Sequence, residues 1–149
     1  MKASDFCKRE VVVIEKDASV FEAAQLMREM HVGSVVVVES EGDRRIPLGV
    51  LTDRDIVVEF VSQNLSTTDV AVGDAMSYEL VTIDENATLF DVIERMSECA
   101  VRRMPVINAQ GGLVGLVASD NALELLAEQL TDLAMLVALQ QRREADRRT

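Results

Sequence analysis

The chain repeats itself, and that repeat limits its possible folds more than any other feature. Shifted by 69 residues, Asp5 to Val38 lies over Asp74 to Ile107 without a gap, and ten of these 34 pairs are identical. They are Asp5/Asp74, Glu10/Glu79, Val12/Val81, Ile14/Ile83, Ala18/Ala87, Phe21/Phe90, Met27/Met96, Glu29/Glu98, Val32/Val101 and Val37/Val106. The match resumes at a shift of 66, with GVLTDRD (Gly49 to Asp55) over GLVASDN (Gly115 to Asn121). The three-residue difference falls between Glu39 and Leu48, where charge and turn formers dominate, so two copies of one unit differ in a single loop. The boundaries read as 5–62 for copy one, 63–73 for a polar link, 74–130 for copy two and 131–149 for a helical extension with a basic tail.

Each copy carries the same local signals. A β-branched segment (Val11 to Ile14; Leu80 to Ile83) precedes a helical pattern with apolar residues at Val20, Ala24 and Met27, or at Leu89, Ile93 and Met96. Ser19 with Glu22, and Thr88 with Asp91, have capping-box spacing, in which hydroxyl and acid satisfy free amides at a helix start. Two strands follow: Ser34 to Val38 and Leu48 to Leu51 around the loop SEGDRR, then Met104 to Ile107 and Leu113 to Val117 around NAQGG. Second helices are predicted over Ile56 to Val61 and from Ala122 onward. The unit is βαββα, twice, in the α/β (α+β) class. At 149 residues the chain is too short for two free-standing domains, and each half leaves a sheet face that only the other can cover.

Composition narrows the function. A formal charge of −11 and an aromatic content of 3% argue against nucleic acid, which needs clustered cations and stacking platforms. No apolar run approaches the length of a membrane helix, and Met1 to Glu10 is polar, so neither a membrane span nor a secretory signal is expected and a cytoplasmic protein is. Cys7 and Cys99 form no CxxC pair, and no metal site is expected. His31 is the single histidine and its counterpart is Ala100; GxSxG, HExxH and the Walker pattern are absent, so no enzyme is expected.

The last helix stands apart. Leu123, Leu126, Leu130, Leu133 and Val137 recur at steps of three and four, with Leu125, Met135, Leu136 and Leu139 beside them. A helix apolar on more than its core-facing stripe needs a second partner, either its own domain or, as read here, another subunit in a homodimer. The tail RREADRRT suits a solvated helix end favoured by the helix dipole.

The duplicated unit, with HVGSVVVV (His31 to Val38), VRRMPVIN (Val101 to Asn108) and GVLTDRD, resembles the cystathionine-β-synthase (CBS) domain, and the pair resembles a Bateman module. The resemblance runs from Asp5 to about Leu130. It implies tandem CBS domains packed about a pseudo-twofold, often dimeric. It also implies an adenosine ligand in the clefts between halves (AMP, ADP or ATP, sometimes NAD or S-adenosylmethionine) and regulation of a partner protein that the sequence does not name.

Thr52 and Asp55 match the family pattern residue by residue, which implies that Thr52 contacts ribose or phosphate and Asp55 holds the ribose hydroxyls. A glycine at the strand start, Gly49, permits close backbone approach. The same T-x-x-D spacing is also a capping box that needs no ligand, and the two roles can coexist. Copy two has Ala118 and Asn121 instead, so one competent site, or two of unequal affinity, is expected. Arg102 and Arg103 replace Gly33 and Ser34; they are the candidates for nucleotide phosphate, or else a surface pair balancing Glu98 or Glu94. By analogy Val12, Val13, Val35 and Val36, with Gly33 and Ser34, line an adenine pocket in copy one, although alternating strand valines also build cores. The alternative to ligand sensing is a structural dimerisation or scaffold module with vestigial pockets.

Overall fold

The computed structural model describes residues 1–76 and 80–148; Glu79 of the repeat and Thr149 of the tail lie outside the described residues. The chain opens with α1 (Ala3–Phe6). Copy one continues through β1 (Val13–Glu15), α2 (Val20–Met30), β2 (Ser34–Glu41), β3 (Arg44–Thr52) and α3 (Asp53–Ile56), which runs into a π-helical turn over Val57–Val61. Copy two supplies α4 (Val72–Ala75), β4 (Ile83–Asp84), α5 (Leu89–Cys99), β5 (Arg103–Ile107), β6 (Leu113–Ala118) and α6 (Ser119–Arg148). Two three-stranded sheets result, ordered β1-β2-β3 and β4-β5-β6, each with a parallel first pair and an antiparallel second pair. A parallel pair needs a crossover, and α2 and α5 provide it.

Both crossover helices begin at the spaced caps. Ser19 Oγ accepts from Glu22 N at 3.1 Å and Thr88 Oγ1 from Asp91 N at 3.2 Å, while each acid accepts in return from its cap residue's backbone N–H at 2.8 Å. Hydrogen bonds from the Thr88 backbone and hydroxyl hold the Asp91 carboxyl below the usual carboxylate range. A depressed carboxylate contributes stability that is complete at neutral pH and is lost as pH falls through its folded-state value. Thr88→Ala removes the cap hydroxyl and should lower stability at pH 7 by the amount usual for a lost N-cap, about 1 kcal/mol. In urea melts repeated down the acid range, the gap between variant and wild type should narrow. Both helices end at equivalent left-handed residues, His31 (φ 55°) and Ala100 (φ 53°), which accounts for the single histidine as a helix-end residue.

The strands depart from the sequence reading in two places. The three extra residues of copy one lengthen the hairpin rather than the loop: β2 runs to Glu41 and β3 starts at Arg44, across a turn in which Gly42 has φ 61°. Gly49 is therefore well inside β3 and not at a strand start. The first strands also begin later than predicted, and β4 is the shorter because of Pro105. In copy one, Val36 N donates to Val12 O at 3.0 Å. Pro105, its counterpart, has no N–H, so the parallel ladder of copy two keeps only Ile83↔Val106 and Asp84↔Ile107.

Each half is closed by the other copy's leading segment. Ala3 N donates to Ala87 O at 2.7 Å, Lys8 exchanges two 2.9 Å hydrogen bonds with Leu116, and Ala3 is fully buried in the copy-two core with Val92, Met96, Met104, Val106 and Val117. Reciprocally, Val72 N donates to Ala18 O at 2.7 Å and Gly73 N to Lys16 O at 2.9 Å, and Val72 and Met76 join Val20, Met27, Val35, Val37, Leu51, Ile56 and Phe60 in the copy-one core. Helix α6 packs only its first turns: Ala122 is its single buried residue. Among the described residues no helix is long and apolar enough to cross a membrane.

Candidate functional site

Copy one's T-x-x-D acts as a cap at the mouth of α3. Thr52 Oγ1 accepts from Asp55 N at 3.1 Å and Asp55 Oδ2 accepts from Thr52 N at 3.0 Å. The cap engages one carboxylate oxygen. Oδ1 makes no hydrogen bond among the described residues, and each carboxylate oxygen carries two lone pairs, so acceptor capacity remains. Copy two keeps half of the device: Asn121 Oδ1 accepts from Ala118 N at 3.0 Å, with no hydroxyl to reciprocate.

Two clefts lie between the halves. Cleft I, about 260 Å³, takes Val50, Thr52 and Asp55 from copy one and Leu80, Val81, Val101, Arg102, Arg103 and Pro105 from copy two. Cleft II, about 390 Å³, takes the counterpart positions with the copies exchanged: Leu116, Ala118 and Asn121, with Val11, Val12, Val32, Gly33, Ser34 and Val36. That exchange is the mark of a pseudo-twofold. Lys8, Glu10, His31, Arg103, Asp120 and Glu124 complete the second lining.

The candidate residues are thus divided. Thr52, Asp55 and Arg102 line cleft I; Val12, Gly33, Ser34 and Asn121 line cleft II; Arg103 lines both. Val35 lines neither, being 1% exposed in the copy-one core. Ser34 and Thr52 are paired across β2 and β3, yet they serve different clefts. Leu80, Val81 and Pro105 escaped the sequence reading, although the repeat alignment places Leu80 and Val81 over Val11 and Val12.

Charge separates the clefts further. Cleft I sets two guanidiniums against one carboxylate, whereas cleft II sets Lys8 and Arg103 against Glu10, Asp120 and Glu124. Neither Arg102 nor Arg103 forms an ion pair among the described residues. Cleft I is the better place for an anion. One of its lining residues, Val81, also keeps an uncommitted backbone acceptor. Because Pro105 cannot donate, the Val81 carbonyl accepts no hydrogen bond among the described residues, while its counterpart on Val12 is engaged by Val36.

Burial pushes the Cys7 thiol up, and among the described residues no group of three or more His, Cys, Asp or Glu is placed to hold a metal ion. The close approach that glycine permits at Gly115 is made by the chain itself, since a Cβ there would lie 2.5 Å from Cys7 Sγ and 2.7 Å from the Lys8 carbonyl.

Comparison with known proteins agrees with the duplicated architecture. The CBS domain family model matches residues 3–62 and 72–128. The CBS domain-containing protein YhcV of Bacillus subtilis is 34% identical over 114 residues, covering 76% of this chain and 77% of that protein. An uncharacterized protein of Methanopyrus kandleri, MK0525, is 29% identical over 125 residues, 84% of this chain but only 62% of the relative's length. Hypoxic response protein 1 of Mycobacterium tuberculosis is 31% identical over 126 residues, 85% of each. A crystal structure of Hypoxic Response Protein I, with two coordinated zinc ions, has a TM-score of 0.72 at 30% identity, covering 83% of this chain and 98% of that one. The CBS domain pair of protein MJ0100, in complex with 5′-methylthioadenosine and S-adenosyl-L-methionine, also has a TM-score of 0.72; at 20% identity, over 87% and 98% of the chains, this is a likeness of fold alone. With both repeats matched and both folded as reciprocal halves, the chain belongs to the CBS domain family as a tandem pair.

Proposed function

We propose that the chain is a regulatory module that binds an adenosine nucleotide of the AMP, ADP or ATP class in cleft I and passes its occupancy to a partner protein. The observation that carries this reading is the convergence in one cleft of Thr52, Asp55, Arg102, Arg103 and Val81, whose carbonyl is uncommitted. A ribose diol donates to Asp55 Oδ1, the phosphate takes the forked donors of the guanidiniums, and the adenine amino group donates to Val81 O. Val50, Leu80 and Pro105 supply aliphatic walls for the ring where a chain with 3% aromatic residues has no stacking platform. The adenosine compounds bound by the pair from MJ0100 support the ligand class. S-adenosylmethionine brings a cation and no phosphate, so two guanidiniums favour a nucleotide over it.

Such a ligand touches both halves at once. It favours whichever packing brings copy one's Asp55 nearest to copy two's arginines, and it shifts the equilibrium only as far as its affinities for the two packings differ. Cleft II, acidic and without the threonine, is the weaker site. No catalytic step is needed, and a nucleotide ligand fits the cytoplasmic setting read from the sequence.

A thermal-shift screen of AMP, ADP, ATP, NAD and S-adenosylmethionine tests the reading. At 100 times its dissociation constant a nucleotide should stabilise the fold by about 2.7 kcal/mol. Phosphorylated ligands should outrank S-adenosylmethionine, and the absence of any shift overturns the proposal.

A further inference from the structure

We propose that Arg103 is a cation shared between the two clefts, drawn to cleft I by a nucleotide phosphate and to cleft II by its acids, so that cleft II sets the affinity of cleft I. This rests on the nucleotide reading of cleft I and adds how that site is regulated.

Arg103 is the one candidate residue that lines both clefts. The pseudo-twofold accounts for only one of its two places. Its counterpart in copy one is Ser34, which lines cleft II alone, so the symmetric place for Arg103 is cleft I. Its presence in cleft II breaks the symmetry, and the length of an arginine supplies the reach that a serine lacks. The backbone beneath it is fixed: β5 pairs Arg103 with Ala118, and Ser119 N donates to Arg102 O at 2.8 Å. The choice between clefts therefore falls to the side chain, which belongs to an exposed residue and forms no ion pair among the described residues.

Charge makes that choice consequential. With Arg103 in cleft II, two cations face Glu10, Asp120 and Glu124, and cleft I keeps Arg102 opposite Asp55. With Arg103 in cleft I, two guanidiniums meet the phosphate, and cleft II is left with Lys8 against three acids. One guanidinium cannot neutralise both. The acids of cleft II compete with the phosphate for it, and so act on a site that they do not line. By the same linkage, loading cleft I makes cleft II more acidic, which turns occupancy into a change of surface charge. Arg102 lines cleft I and not cleft II, so it takes no part in the exchange and serves as the control.

Calorimetry with AMP on the full chain at physiological salt tests the exchange. Glu10→Gln with Glu124→Gln should raise the affinity of a site filled once per chain about fivefold, the scale of an exposed charge pair. Both residues are exposed and neither lines cleft I. The gain should persist in an Arg102→Gln background and fall to less than about twofold in an Arg103→Gln background, because the double-mutant cycle isolates the coupling to Arg103. In arginine side-chain NMR, the Arg103 Nε–Hε signal, assigned by its loss in Arg103→Gln, should shift both with AMP and with the two Gln substitutions. An unchanged affinity, an equal gain in all three backgrounds, a gain that arrives only as a second AMP per chain, or an Arg103 signal that ignores the Gln substitutions overturns the proposal and leaves cleft I a nucleotide site. A wild-type chain that binds no AMP overturns the nucleotide reading and this proposal together.

Discussion

Asp55→Ala should cut the nucleotide-induced rise in melting temperature to about half or less at a ligand concentration 100 times the wild-type dissociation constant. The carboxylate is proposed to receive the ribose hydroxyls through Oδ1 while Oδ2 caps α3. A hydrogen bond to a charged group contributes about 1.5–3 kcal/mol, so losing it weakens binding roughly ten- to a hundredfold. The unliganded fold should lose only about 1 kcal/mol, the ordinary consequence of a missing cap. Asp55→Asn separates the two roles. Asn121 accepts from Ala118 N at 3.0 Å in copy two, so an asparagine preserves the cap in this fold. Its remaining amide nitrogen donates and cannot accept the diol, so Asp55→Asn should keep the wild-type melting temperature and still bind poorly in calorimetry. Full affinity in that variant would reduce Asp55 to a cap.

Gly115→Ala should lower stability by about 2 kcal/mol, within the range for forcing atoms into a packed site. For a chain of this size that is a fall of roughly 4–8 °C in melting temperature. The new Cβ would lie 2.5 Å from Cys7 Sγ and 2.7 Å from the Lys8 carbonyl. The sulfur ends a side chain and can turn away. The carbonyl belongs to the 2.9 Å pairing of Lys8 with Leu116 and cannot move without lifting the N-terminal segment off β6. Cys7→Ala in the same chain should therefore fail to rescue it. A loss below 1 °C would show that the segment contributes little to closing the second half.

Local features were legible because their determinants are local. Ser19 with Glu22, and Thr88 with Asp91, place the helix starts through bonds that span three residues. The short NAQGG loop left β5 and β6 within a residue of their predicted ends, whereas the charged SEGDRR stretch concealed a longer hairpin, since charge marks exposure and not the absence of pairing. Thr52 and Asp55 were visible as a motif, and Arg102 and Arg103 as substitutions against the repeat. Which of them share a cleft was not visible, because the pseudo-twofold joins each copy's turn to the other copy's strand edge. Val35 belongs to the core and Val36 to a cleft for the same reason: alternate strand residues face opposite sides, and register decides which.

The sequence by itself determined that two like units would fold together and where their helices begin. Only the tertiary structure decided that residues 2–8 close the second half and residues 70–76 the first, and that Thr52 and Asp55 face Arg102 and Arg103 across the divide. Sequence periodicity reports which face of a segment is apolar. It carries no information about which copy supplies the covering surface when the copies are alike; that choice rests on non-local contacts, such as Lys8 on Leu116 and Gly73 on Lys16, which exist only once both halves are folded.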